Sequence, residues 1–217
     1  MKYVVLDLEF TVLRTKKHLA ETLEIGAIEL TTDHEGTLHM SDLFHSYVRP
    51  SHSQLSALTT AFTGITQAHI ADAPHFEQVI EEFKKWLGED YYLCAWSDGD
   101  RQQLTDECYR HGMDMGWIRN YNDLQLMYSE LKEPGCKQRF GLAASLEKEQ
   151  LTFIGTQHCA IDDAFNTAKL FRLIYPFAKF ERNKPEYCPA KIVFSTGNPK
   201  NYPLAALRQL LDLSSLA

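Results

Sequence analysis

The 217-residue chain lacks any apolar run long enough to cross a bilayer, which excludes a helical membrane span. It also lacks a secretory core: Met1-Lys2-Tyr3-Val4-Val5-Leu6 meets Asp7 too early, so a cytoplasmic protein is expected. There is no C-x-x-C pair. The five cysteines (Cys94, Cys108, Cys136, Cys159 and Cys188) stand apart, as reduced and mostly buried thiols do, and not as a disulfide framework or a zinc site. No internal repeat and no low-complexity segment is present. No basic stretch offsets the net charge of −7, which argues against a non-specific grip on a long duplex. The deficit leaves room for a site where bound cations balance clustered carboxylates.

What is present reads as one α/β domain. Tyr3 to Phe10 is apolar up to Asp7 and then alternates, which predicts a central strand with acids at its far end. Leu23 to Leu30 and Ser41 to Val48 predict two more strands. The turn-rich Thr32-Asp33-His34-Glu35-Gly36 makes them a hairpin. Phe76, Val79, Ile80, Phe83 and Leu87 recur at helical spacing. Tyr91 to Trp96 predicts a buried strand, followed by a helix from Gly99 to His111 and a short strand from Asn120 to Leu124. Helices are expected over Leu124–Leu131, Leu142–Lys148 and Ala160–Tyr175, the last stopped by Pro176. The pattern implies a mixed sheet flanked by helices. Prolines at 185, 189, 199 and 203 mark a different tail, with a candidate helix from Ala205 to Leu213. The expected organisation is a domain over residues 1–180, with a C-terminal extension, 181–217, packed on it. That tail is also a candidate docking element for a protein partner.

Asp7 and Glu9 stand two apart on a strand, so both side chains point to one face. Adjacent carboxylates repel, and a fold that gathers them calls for a cation; oxygen ligands suit Mg²⁺ or Mn²⁺. Alone, the pair also reads as the exposed stripe of a half-buried strand. Asp98 and Asp100 follow the buried strand, where either could cap a helix. Asp162 and Asp163 sit in the first turns of the late helix, again natural dipole partners. His158 precedes them, and an imidazole beside a site that activates water is a suitable proton acceptor at neutral pH.

The order of these signals is more specific than any one of them. Val-Leu-Asp7-Leu-Glu9-Phe-Thr11, then Ala-Trp-Ser-Asp-Gly-Asp100, then His158-Cys-Ala-Ile-Asp-Asp163 together resemble the DEDDh exonucleases of the DnaQ-like, RNase H-fold superfamily. Asp-Leu-Glu-Phe-Thr, Trp-x-Asp-x-Asp and the doubled aspartate are closest to KapD-type and Eri-1-like exonucleases. The Thr63-Gly64-Ile65-Thr66 loop and Glu24-Ile25-Gly26-Ala27 fit as well. The resemblance spans roughly residues 2 to 176.

It implies an RNase H-like five-stranded mixed sheet and two Mg²⁺ or Mn²⁺ ions held by Asp7, Glu9, Asp100 and Asp163. His158 would be the general base. It selects Asp100 over Asp98 and Asp163 over Asp162. The implied reaction releases nucleoside 5′-monophosphates from the 3′ end of single-stranded RNA or DNA. Phe10, Thr11 and Ile65 are candidates for holding the terminal nucleotide. The alternative is a catalytically weak nucleic-acid-binding or regulatory protein acting through a protein partner.

Overall fold

The structure, a computed structural model, describes residues 1–135 and 139–184. Five strands form one sheet in the order β3-β2-β1-β4-β5. They are β1 (Lys2–Phe10), β2 (Thr22–Thr32), β3 (Leu38–Tyr47), β4 (Tyr91–Ala95) and β5 (Tyr121–Asp123). The first three run antiparallel as a meander, while β4 lies parallel to β1 and β5 parallel to β4. Parallel neighbours need long crossovers. α3 (Phe76–Leu87) lies in the connection before β4, and α4 (Gly99–Arg110) in the one before β5. The mixed sheet expected from the sequence is therefore present, with β1 at its centre.

Period two divides β1 between two cores. Val4, Leu6 and Leu8 pack with the α3 residues Phe76, Val79, Ile80 and Phe83. Val5 faces the other core, built from α5 (Leu124–Lys132), α6 (Leu142–Lys148) and α7 (Ala160–Ile174). Asp7 and Glu9 continue the Val5 face, which places them beside the start of α7.

The Thr63–Thr66 motif expected as a loop spans the junction of two short helices: Phe62 and Thr63 belong to the first, and Gly64, Ile65 and Thr66 form the loop between them. α1 (Ala57–Thr63) ends at Phe62-Thr63, Gly64 turns the chain with φ 72°, and Thr66 opens α2 (Gln67–Ile70). The threonine-rich stretch has weak helix propensity. Its ends hold it: the Ser56 hydroxyl accepts from the Thr59 N–H, and the Gly64 N–H reaches the Thr60 carbonyl. Residues 180–183 run along the free edge of β5, where the Asn183 side chain pairs with both the N–H and the carbonyl of Tyr121. The candidate helix from Ala205 to Leu213, and the extension beyond Lys184, lie outside the described residues.

Candidate active site

At the end of β1 the pairing with β2 shifts register between Glu9 and Phe10. A cavity of about 590 Å³ opens there, and Asp7, Glu9, Asp100, His158 and Asp163 all line it. Residues distant in sequence thus meet at one point.

Each acid reaches the cavity for a local reason. Asp100 lies in the first turn of α4, and its Oδ1 accepts the backbone N–H of Leu8 at 3.1 Å, between Asp7 and Glu9 on the neighbouring strand. Asp98 is the residue before the helix; it pairs with Arg101 at 2.8 Å and does not line the cavity. Asp163 lies in the first turn of α7, and its Oδ2 accepts the backbone N–H of His158 at 2.8 Å. Asp162 turns away and accepts the Thr156 N–H at 2.7 Å, fastening the loop before α7. His158 has a left-handed backbone, φ 63°, which histidine tolerates better than most residues. Its ring packs on Phe62 with centroids 4.3 Å apart, and its Nδ1 lies 3.9 Å from Glu9 Oε1.

The electrostatics fit a cation site. Burial raises Asp7 well above the usual carboxylate range, and the charges of Asp100, Asp163, Glu9 and Glu24 add to it. Burial first, then Asp163, Glu24 and Asp100, pushes Glu9 up to about 8. Asp100 rises to about 7, mainly through burial, although the Leu8 N–H opposes the shift. Asp163 is raised by burial against the opposing His158 N–H. Glu9, His158 and Asp163 offer ligand atoms that all lie within 4.8 Å of one another. Crowded oxygen donors with few proton donors suit a hard divalent ion.

Of the residues expected to hold a nucleotide, Phe10 lines the cavity and Thr11 and Ile65 do not. Thr11 is buried, and its hydroxyl accepts the Glu21 N–H at 2.9 Å. Ile65 is buried against Leu23 and Ile70. Phe62, three residues earlier, is the exposed aromatic at the cavity wall.

Glu24 and Gly26, which the sequence offered as part of the second-strand signature without a role, shape the site. Buried Glu24 accepts the Ala160 N–H at 3.1 Å and pairs with His45 Nε2 at 2.7 Å, so it ties β2 to the start of α7. At Gly26 a Cβ would come within 2.3 Å of the Ala160 and Ile161 backbone. Only glycine lets α7 lie this close to β2, and that closeness brings Asp163 to Asp7. An acid and a glycine inside an apolar strand were the available signals.

Comparison with known proteins agrees with this geometry. The exonuclease family model RNase_T matches residues 4–171. ERI1 exoribonuclease 3 of Mus musculus is 28% identical over 183 residues, covering 79% of this chain and 53% of the relative. The chain thus spans about half the length of that relative. The nuclease domain of 3′hExo, described as a DEDDh family member bound to rAMP, superposes with TM-score 0.75 at 23% identity, covering 85% of this chain and 97% of that one. Cell-death related nuclease 4 (CRN-4) superposes with TM-score 0.68 at 23% identity, covering 84% and 66%. The family match, the shared fold and the gathered acids and histidine lead to one conclusion: the chain belongs to the exonuclease family.

Proposed function

We propose that the chain is a divalent-metal-dependent 3′-5′ exonuclease that hydrolyses the last phosphodiester of a single strand and releases a nucleoside 5′-monophosphate. The observation that carries this reading is the set of four mutually repelling carboxylates lining one cavity, half-buried Asp7 and buried Glu9, Asp100 and Asp163, with His158 beside them. RNA is the favoured substrate in this reading, because the relatives are named exoribonucleases.

Asp7, Glu9, Asp100 and Asp163 would hold the ions, Mg²⁺ or Mn²⁺. When bound, such ions lower the pKa of a water and offset charge on the departing 3′ oxygen. His158 accepts the proton of the attacking water. The left-handed turn at His158 and the Phe62 ring beneath it hold the imidazole at the cavity wall. Phe10 and Phe62 flank the space for the terminal nucleotide, where an aromatic face accepts any base.

The test is a Mg²⁺ and Mn²⁺ series on 5′-labelled RNA and DNA oligonucleotides. The expected result is a ladder shortening from the 3′ end, with nucleoside 5′-monophosphate products, arrest by EDTA and faster loss of RNA. Metal-independent cleavage, no cleavage at all, or cutting of a circular strand would contradict the reading.

A further inference from the structure

An overall charge of −7 hides one short cationic run, Arg14-Thr15-Lys16-Lys17-His18, which corrects the expectation that no basic stretch exists. No acid occurs between Glu9 and Glu21. All five residues of the run are exposed, and among the described residues no acid pairs with Arg14, Lys16 or Lys17. Like charges packed in a surface loop repel one another, so a loop of this composition favours an anionic ligand.

The loop is also held in place. At its near end, Val12 lines the active-site cavity and donates its N–H to the Thr59 hydroxyl on α1 at 3.1 Å. At its far end, the 3-10 turn Lys17–Leu19 is fastened to α4. Arg110 donates to the carbonyls of His18 and Ala20, and Gln103 donates to Ala20 at 2.9 Å. These bonds hold the backbone and leave the cationic side chains free.

We propose that this loop is a second binding surface, one that holds the phosphate backbone of the strand whose 3′ end lies in the cavity. The proposal rests on the exonuclease reading above. Its occupant follows from position: the run begins two residues beyond Val12 at the cavity wall. From Val12 to Lys17 the chain reaches at most about 18 Å. A stacked strand carries about five phosphates over that length, at one per about 3.4 Å. A polyanion leaving an acidic site meets an otherwise negative protein, and these cations supply the offsetting charge.

The test compares the parent with the triple variant Arg14→Gln, Lys16→Gln, Lys17→Gln, after circular dichroism melts confirm that both are folded. Cleavage of a dinucleotide and of a 12-nucleotide RNA is followed from 50 to 200 mM salt. Three lost cations should reduce the log–log salt slope for the 12-mer by about 2, at about 0.7 per phosphate contact. KM for the 12-mer should rise roughly tenfold for the same reason, with kcat unchanged. Dinucleotide turnover should stay within about twofold of the parent, because it does not reach the loop. An unchanged 12-mer KM and slope, or an equal loss on the dinucleotide, overturns the proposal. Anisotropy of a labelled 12-mer in EDTA separates the two readings: absent nucleolysis in the parent defeats the exonuclease reading, whereas equal Kd for parent and variant defeats the loop assignment. Binding of phosphatidylserine vesicles by the parent alone, with 12-mer affinity unchanged, would assign the loop to a membrane and also overturn it.

Discussion

Glu107 on α4 and Glu9 on β1 are both buried, at 1% and 6% exposure. The Glu107 carboxylate accepts from the Thr22 N–H at 2.9 Å, the Thr22 hydroxyl at 2.6 Å and the Gln103 amide at 2.8 Å. Among the described residues, the nearest partner of the Glu9 carboxylate is His158, 3.9 Å away. Burial raises the pKa of both, but only Glu107 has a set of donors that pulls it back. Glu21 resembles Glu107, with the backbone N–H groups of Ser51, His52 and Ser53 on its carboxylate. The difference separates two uses of a buried acid. One is completed by the protein and fastens a loop. The other is left without such donors, as the proposed cation site requires.

That contrast can be broken by comparing Glu107 with Asp7, which lines the same cavity as Glu9. Asp7→Asn should lose at least about 10³-fold in cleavage rate, with stability unchanged or higher because one repelling charge is gone. Glu107→Ala should do the reverse, costing about 1–3 kcal/mol in urea unfolding while the folded fraction keeps its rate within a few-fold. If Asp7→Asn melted early and remained active, the distinction would be wrong. His158→Ala should lower kcat by about 10²- to 10⁴-fold and keep Mn²⁺ affinity. A parallel loss of Mn²⁺ affinity would make His158 a ligand.

Gly26→Ala tests the supporting geometry. The added methyl meets backbone at 2.3 Å, so α7 has to shift away from β2. The expected cost is about 1–3 kcal/mol in stability. Misplacement of Asp163 should lower activity by about 10²-fold. Near-parental activity would show that α7 tolerates a looser fit.

The smallest effect concerns pH. In metal-free protein, Glu9 and Asp100 titrate at about 8 and about 7, above the ordinary value near 4 expected in the unfolded chain. The folded state then binds more protons than the unfolded one between those values, so stability falls as pH rises through them. The stabilisation is complete below about pH 4 and lost by about pH 8. The Tm in EDTA should drop by several degrees, at about 2–4 °C per kcal/mol for a chain of this size, between pH 5 and 8. Added Mn²⁺ should restore more of it at pH 8 than at pH 5. A flat profile in EDTA would argue that the acids are already compensated.

Much of this was legible in the sequence because local rules governed it. The apolar run of β1 ending in Asp7 and Glu9 needed only period two. The spacing from Phe76 to Leu87 marked α3 with its observed limits. What escaped was set by distant contacts. Threonine-rich α1 is helical because its ends are capped, against its own propensity. The need for glycine at position 26 comes from Ala160, which no local pattern contains. Ile65 drew attention within a loop-like motif, although the exposed ring is Phe62, which only the helix places at the cavity. The Arg14–His18 run was hidden by a total that averages over the chain.

The most direct measurement is calorimetric titration of Mn²⁺ into the parent and into Asp7→Asn, in two buffers of different ionisation enthalpy near pH 7. Carboxyls held at about 7 and about 8 must release protons when a cation binds. The account predicts saturable binding with net proton release in the parent, both strongly reduced in Asp7→Asn. Absence of binding, or identical binding and proton release in the two proteins, would contradict it.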